Sequence, residues 1–411
     1  MATTAAAPGG TPAAAPPTAL TRGGAVRVDA VDLLRGLVIA IMVLDHVRDY
    51  FHYDAFRFDP TDPARTTAAL FATRWVTHLC APTFVFLAGV SIWFQRANGK
   101  GGAALSGFLL KRGLWLVALE VTVVSFGFNF GPPFVFLQVI WAIGMSMVCM
   151  AALARLPSQA VLAVGAAICA LHPLFAAATA DASGALAVLR SLTLVPGYFA
   201  EAKVLAFYAF VPWLGVMCLG FGLGPLFGSD PARRRRAILL IAPSMLALFL
   251  LLRWLDGYGD PVPWQPMDSS LRTLFSFLNV SKYPPSPDYV LVTLGVSLLL
   301  FLALEHLGGP LARWLLTFGR TPLFTYVAHI YLMHGLMLVT AVATGFPALV
   351  AFDVFPTSFL ASAPRLVTIE WGFSLGVVYL VWLTVLVLLY PLSRWFERVK
   401  RSRRDWWLSY L

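Results

Sequence analysis

The sequence predicts an all-α polytopic membrane protein, a bundle of about ten transmembrane helices with both termini cytoplasmic. Composition is the first reason: 59% of the 411 residues are hydrophobic and 12% charged, with mean hydropathy +0.77, where soluble domains carry about 25% charged residues. Several apolar runs reach the roughly 20 residues that a membrane helix needs, which is the second. The third is the alternation of Lys and Arg between successive connections. The formal charge of +10 then reports cytoplasmic loops rather than nucleic-acid binding.

In chain order, residues 1–26 are Ala-, Pro-, Gly- and Thr-rich and are expected to be disordered. A signal peptide fits poorly, because the first basic residue is Arg22. A membrane domain is expected over 27–396 and a basic cytoplasmic tail over 397–411. Spans are expected near 31–51, 75–95, 108–127, 134–154, 159–179, 205–227, 237–255, 288–306, 321–343 and 371–393. Apolar pieces at 191–200 and 346–362 suit interfacial or re-entrant segments, and one of them as a crossing would make eleven. With the N-terminus inside, the inner connections hold Arg96, Lys100, Lys111, Arg112, Arg155, Arg233 to Arg236, Arg313 and Arg320, plus the basic tail; the outer ones are poorer in Lys and Arg. Cys80, Cys149, Cys169 and Cys218 lack metal-ligand spacing and read as small buried residues, so no metal is expected. Gly220, Gly222 and Gly224 read as close-packing positions.

The first span carries the strongest chemical signal. Arg35 and His46 stand eleven residues apart in one apolar run. That is about three helical turns, so both fall on one face, roughly 16 Å apart along the axis. Ionisable groups at membrane depth are costly, which makes each a functional candidate. Arg35 could instead simply pair with Asp32, and His46 could bridge helices. Asp45, Arg48, Asp49 and His52 crowd the outer end of the same run, and His46 with Asp49 at i, i+3 suits a base and its orienter. Arg74 and His78 lie four apart at the outer end of the second span, so His46 and His78 are expected at similar depth. Gln138 and Trp141 are polar or amphipathic positions in the fourth span, His329 lies within the ninth, and Lys282 and Tyr283 precede Pro284 and Pro285 in an outer loop. Cations on the inner face and His, Asp and Arg groups on the outer suit an anionic inner donor and an outer acceptor. A secondary transporter or flippase for an anionic solute or lipid-linked sugar would use the same ionisable residues as a substrate or proton path.

Arg35, ten residues and then His46 resembles the spacing of the acyltransferase type 3 superfamily. The stretches VDAVDLLRGLVIAIMVLDHVRDYF (28–51), TRWVTHLCAPTFVFLAG (73–89), FLLKRGLWLVALEVT (108–122), LQVIWAIGMSM (137–147), GYGDPVPW (257–264), FLNVSKYPPS (277–286) and FGRTPLFTYVAHIYLMHG (318–335) resemble, more specifically, the bacterial relatives of heparan-α-glucosaminide N-acetyltransferase. The resemblance implies transfer of an acetyl group from cytoplasmic acetyl-CoA to a sugar or related acceptor on the outer side of the inner (plasma) membrane, as a cell-envelope glycan modification. It places the catalytic role on His46, with Asp45 or Asp49 as orienter and His78, then His52, as rivals. The eukaryotic branch is read as having Asn at the position of His46 and a histidine in the following loop, nearest to His52. Arg35, Arg112 and Arg320 would hold the phosphates of CoA, with His329, Gln138 and Trp141 along its path. Arg48, Asp49, Arg74, Lys282 and Tyr283 would shape the acceptor site. Expected partners are membrane lipid and the glycan acceptor, not nucleic acid, with a homodimer left open.

Overall fold

The computed structural model describes residues 28–358, 360–403, 405 and 408. The expected disordered N-terminal tail lies outside the described residues, as do the C-terminal positions 404, 406, 407 and 409–411. The chain is mostly helical. It opens with α1 (Asp29–Phe51), α2 (Ala68–Thr77) and α3 (Cys80–Ala97), and α4 (Gly102–Leu119) continues through a π-helical turn, Glu120–Val124, into α5 (Ser125–Asn129). Strand β1 (Val135–Leu137) precedes α6 (Val139–Leu153), α7 (Ser158–Ala178) and α8 (Gly184–Thr193). Next come β2 (Gly197–Phe199), β3 (Val204–Ala206), α9 (Phe210–Phe227), α10 (Pro231–Leu255), α11 (Ser270–Leu278), α12 (Pro287–Leu304), α13 (Gly309–Arg320) and α14 (Pro322–Ala343). Short helices α15 (Val354–Ser358) and α16 (Arg365–Thr368) lead to α17 (Leu375–Ser402).

Among the described residues, seven helical segments are long and apolar enough to cross a membrane: 68–97 (α2 with α3), α7, α9, α10, α12, α14 and α17. Their burial sorts them into layers. In 68–97 and α12, 72% and 67% of the apolar window is buried, against 22% in α7, α10 and α17. The second group therefore turns its apolar side chains outward, with Leu240, Trp254 and Val387 among the most exposed, as a lipid-facing rim requires. Helix α1, 23 residues long and largely buried, sits at the centre against α3, α12, α13, α14 and α17.

Glycine sets how closely the central helices approach. A Cβ on Gly36 would stand 2.0 Å from the Leu315 carbonyl oxygen, and one on Gly319 1.9 Å from that of Asp32, so α1 and α13 touch backbone to backbone. The same device locks α3 to α9, where a Cβ on Gly220 would stand 1.9 Å from the Phe86 carbonyl oxygen. This agrees with the packing role expected for that glycine run. Because backbone cannot yield as a flexible side chain does, Gly36→Val is expected to part α1 from α13. The check is a thermal-unfolding midpoint in detergent, which should fall by several degrees or more; an unchanged midpoint would contradict the close approach.

The structure departs from the sequence reading in three places. A three-stranded sheet, in the order β1-β3-β2 with β1 parallel and β2 antiparallel to β3, interrupts an otherwise helical fold. It occupies the starts of the stretches expected as spans at 134–154 and 205–227. A separate helix, α13, precedes α14, and α17 runs on to Ser402 instead of ending near 393, so residues 397–402 of the expected tail are its last turns. All four cysteines are free thiols, three of them buried.

Candidate functional site

Eleven residues apart on α1, Arg35 and His46 lie in two different environments. Near its N-terminal end, Arg35 donates from Nη1 to Asp32 Oδ1 (2.6 Å) and to the Gly319 carbonyl (3.1 Å), and from Nη2 to Ser91 Oγ (2.9 Å). The pairing with Asp32 therefore exists, but it leaves Arg35 on the wall of a cavity of about 500 Å³. Arg112, Arg320, Lys100 and Lys400 share that wall. Arg320 is held there between Asp29 and Glu397, 3.3 Å from each. Lys100 lies over the Phe108 ring, 3.4 Å from its centroid, and burial, then the charge of Arg112, lowers the pKa of its ammonium. Five cations from α1, the connection after α3, α4, α13 and α17 thus converge on one opening, a field that favours a multiply charged anion.

Beyond the cations the walls are apolar, with Phe84, Ile92, Ile140, Ile143 and Met147 among them, and the cavity reaches Met42 on α1 and Tyr326 on α14. The Tyr326 hydroxyl is buried with no hydrogen-bond partner among the described residues. One helical turn further along α1 is His46, and about one turn further along α14 is His329, roughly 5–6 Å beyond. These two histidines meet: His46 Nδ1 is 2.7 Å from His329 Nε2, with ring centroids 5.0 Å apart and planes at 14°. The edge of Phe128 packs against His46 (5.3 Å) and Tyr326 against His329 (5.4 Å). His329 is fully buried, whereas His46 keeps partial exposure.

Asp45 faces a different group of partners. Arg74 Nη1 donates to both of its oxygens (3.1 and 3.0 Å), Thr77 Oγ1 and Arg48 Nη2 donate to Oδ1 (2.8 and 3.0 Å), and Lys282 Nζ stands 3.8 Å from Oδ2. Arg48 also donates to Asp49 (2.7 Å). His46 is thus hydrogen-bonded to His329, while the two expected orienters, Asp45 and Asp49, are engaged by arginines. Lys282 is buried beside the Tyr283 ring, which packs on Phe207.

The loop that carries Lys282 is pinned by a buried knot. Arg253 donates to the carbonyls of Phe277, Val262, Ser276 and Asn279, and Asp260 accepts from Ser281 and Ser286. Each is a backbone or loop group that the low-dielectric interior would otherwise leave unpaired. Arg253→Met removes four donors at once, and is expected to lower the unfolding midpoint and to loosen Lys282, read as faster trypsin cleavage in the 256–287 loop; unchanged cleavage would contradict the pinning.

The remaining candidates divide. His78 lies where the helix breaks between α2 and α3. Pro82 has no N–H for the His78 carbonyl, and Tyr289 supplies the missing donor from its hydroxyl (2.7 Å). The ring of His78 packs on Tyr289 (5.4 Å); it shares the field of Arg74, Lys282 and Asp45 with His46 but is not brought into hydrogen-bond contact with it. His52 closes a turn, accepting from the Asp54 N–H at Nδ1 (3.2 Å) and stacking on Tyr53, and burial lowers its pKa. Gln138 and Trp141 do not line the cavity. Their backbone N–H groups donate to Glu120 (3.1 and 3.0 Å), which caps the N-terminus of α6 from the π turn, while their neighbours Ile140 and Ile143 form the wall. Lys100, Lys400 and Tyr326 were not among the expected site residues. For Tyr326 the available signal was its i, i+3 spacing to His329.

The family described as heparan-alpha-glucosaminide N-acetyltransferase, catalytic, matches residues 27–254, more than half of the chain, from α1 to the last turn of α10. No curated protein matches the chain.

Proposed function

Because the chain belongs to the heparan-alpha-glucosaminide N-acetyltransferase catalytic family, we propose that it transfers an acetyl group from acetyl-CoA to a sugar or related glycan acceptor across the inner membrane. The observation that carries this reading is the cavity of about 500 Å³ that joins five cations at one end to the neighbourhood of the His46–His329 pair at the other. Guanidinium groups suit phosphate, so Arg35, Arg112 and Arg320, with Lys100 and Lys400, bind the nucleotide end of CoA. The apolar walls take its arm, and the thioester arrives beside Tyr326, one turn below His46. The acceptor enters from the far side, between Arg48, Asp49, Arg74, Lys282 and Tyr283. His46 accepts the proton of its hydroxyl or amine as that oxygen or nitrogen attacks the thioester carbonyl. The C–S bond breaks, and the CoA thiolate leaves with the proton that His46 returns. In this reading ten spans form the domain over 27–396, both termini are cytoplasmic, and the cation ring faces the cytoplasm.

The test is CoA binding by calorimetry and acetyl-CoA turnover by the purified protein with envelope glycans as acceptors. Arg35→Ala is expected to raise the KM for acetyl-CoA by about 10- to 100-fold, the equivalent of roughly 1.5–3 kcal/mol for a hydrogen bond to a charged partner, with a smaller change in kcat. Absence of CoA binding would remove the proposal. Proton-dependent uptake of an anionic solute or lipid-linked sugar without acetyl-CoA turnover would replace it with transport.

A further inference from the structure

Two imidazole nitrogens 2.7 Å apart, as His46 Nδ1 and His329 Nε2 are, share one proton: one ring donates and the other accepts. Which does which decides what the far nitrogen of His46 can do. The answer lies on the other edge of His329. Its Nδ1 is buried, and no hydrogen bond of ordinary geometry reaches it among the described residues. A helical side chain lies back over the preceding turn, which on α14 turns the backbone carbonyls of Thr325 and Tyr326 toward this ring. Carbonyl oxygens accept and never donate. A nitrogen lone pair turned toward them would meet only other lone pairs, so the proton of the neutral ring belongs on Nδ1. His329 Nε2 is then an acceptor, His46 Nδ1 must be the donor, and His46 Nε2 is left with a free lone pair. The two rings are near-parallel and packed between Phe128 and Tyr326.

We infer that His329 is a positioning residue: it holds His46 in the Nδ1–H tautomer and so makes His46 Nε2 the atom that takes the acceptor's proton. The inference rests on the acyl-transfer reading above for its use, but the tautomer itself is measurable apart from activity. The full chain, labelled with 15N-histidine in lipid nanodiscs and assigned by comparison with His46→Gln, should show a protonated Nδ1 and an unprotonated Nε2 on His46. A protonated Nε2 on His46 in the native chain would overturn the inference. In kinetics, His329→Gln keeps an acceptor oxygen near the position of Nε2 and should stay within a few-fold of the native kcat. His329→Leu should lower kcat by about 100-fold or more, since a catalytic imidazole in the wrong tautomer can lose about 10⁴-fold, while the KM for acetyl-CoA stays near native. Full kcat in His329→Leu, or equal losses in the Gln and Leu variants, would also overturn it. Should the Leu variant not fold, the native spectrum and the Gln variant still decide. Failure of acetyl-CoA turnover in the native chain would instead remove the acyl-transfer reading and leave the spectrum to report on the tautomer alone.

Discussion

His46→Ala is expected to lower kcat for acetyl transfer by about 100- to 10,000-fold, the contribution of a positioned general base, while CoA still binds. The separation of the two effects follows from position. His46 is not on the cavity wall; Met42, one turn earlier on α1, is. Removing the imidazole therefore leaves the cations and apolar walls that hold the donor, and takes away only the group that accepts the acceptor's proton. The substitution also leaves His329 Nε2 without its partner, so the variant's unfolding midpoint should be measured beside its kinetics. The other two histidines provide the contrast. His52→Ala should cost turn stability, because that ring accepts from the Asp54 N–H and stacks on Tyr53, with little effect on kcat. His78→Ala should act on the acceptor KM, because its ring lies in the field of Arg74 and Lys282. Steady-state kinetics on the three purified variants, each with a CoA titration, check all of this. Native kcat in His46→Ala would end the case for that residue as the base.

What the sequence made legible is what hydropathy and charge parity determine. Charged residues in an apolar run stand out against a strong background, so Arg35 and the crowded end of α1 were visible. Lys and Arg parity put Arg112 and Arg320 on the same side of the bundle as Arg35, and the structure brings all three to one cavity. The partner of His46 was not legible. His329 is 283 residues away, and nothing local in either segment specifies the packing of α1 on α14. The backbone role of Gln138 and Trp141 was hidden for a different reason. They are polar residues in an apolar segment, which suggests side-chain contact with a ligand, yet it is their backbone N–H groups that bind Glu120, and a backbone role leaves no mark on residue type. The strands escaped notice because each is three residues long, too short for an alternating pattern. In the extension of α17 to Ser402, Glu397 pairs with Arg401 in the next turn and with Arg320 on α13; only the first of these pairs is readable from spacing.

Asp45→Asn should cost stability more than any other single change at the C-terminal end of α1, about 3–5 kcal/mol, because it leaves buried cations without their counter-charge. Asp45 accepts from Arg74, Thr77 and Arg48 and lies 3.8 Å from Lys282. Of the three cations, only Arg48 has a second carboxylate among these contacts, that of Asp49. Asparagine keeps the shape and one acceptor oxygen but has no charge, and its amide turns donors toward guanidinium donors. The cations stay buried, since Arg48 belongs to α1, Arg74 to α2 and Lys282 to the loop pinned by Arg253, and none can withdraw without moving its element. The expected results are a lower unfolding midpoint in detergent and poorer recovery of folded protein. A second substitution isolates the cause. Arg74 is the cation that touches both carboxylate oxygens, so Arg74→Met on the Asp45→Asn background removes one uncompensated charge and should restore part of the loss, although Arg74→Met alone destabilises. A coupling of about 0.5–3 kcal/mol between the two positions is the signature. Simple additivity, with the double variant as weak as the sum of the singles, would show that Asp45 acts through packing rather than charge, and the cluster around it would then have no electrostatic claim on the proposed acceptor.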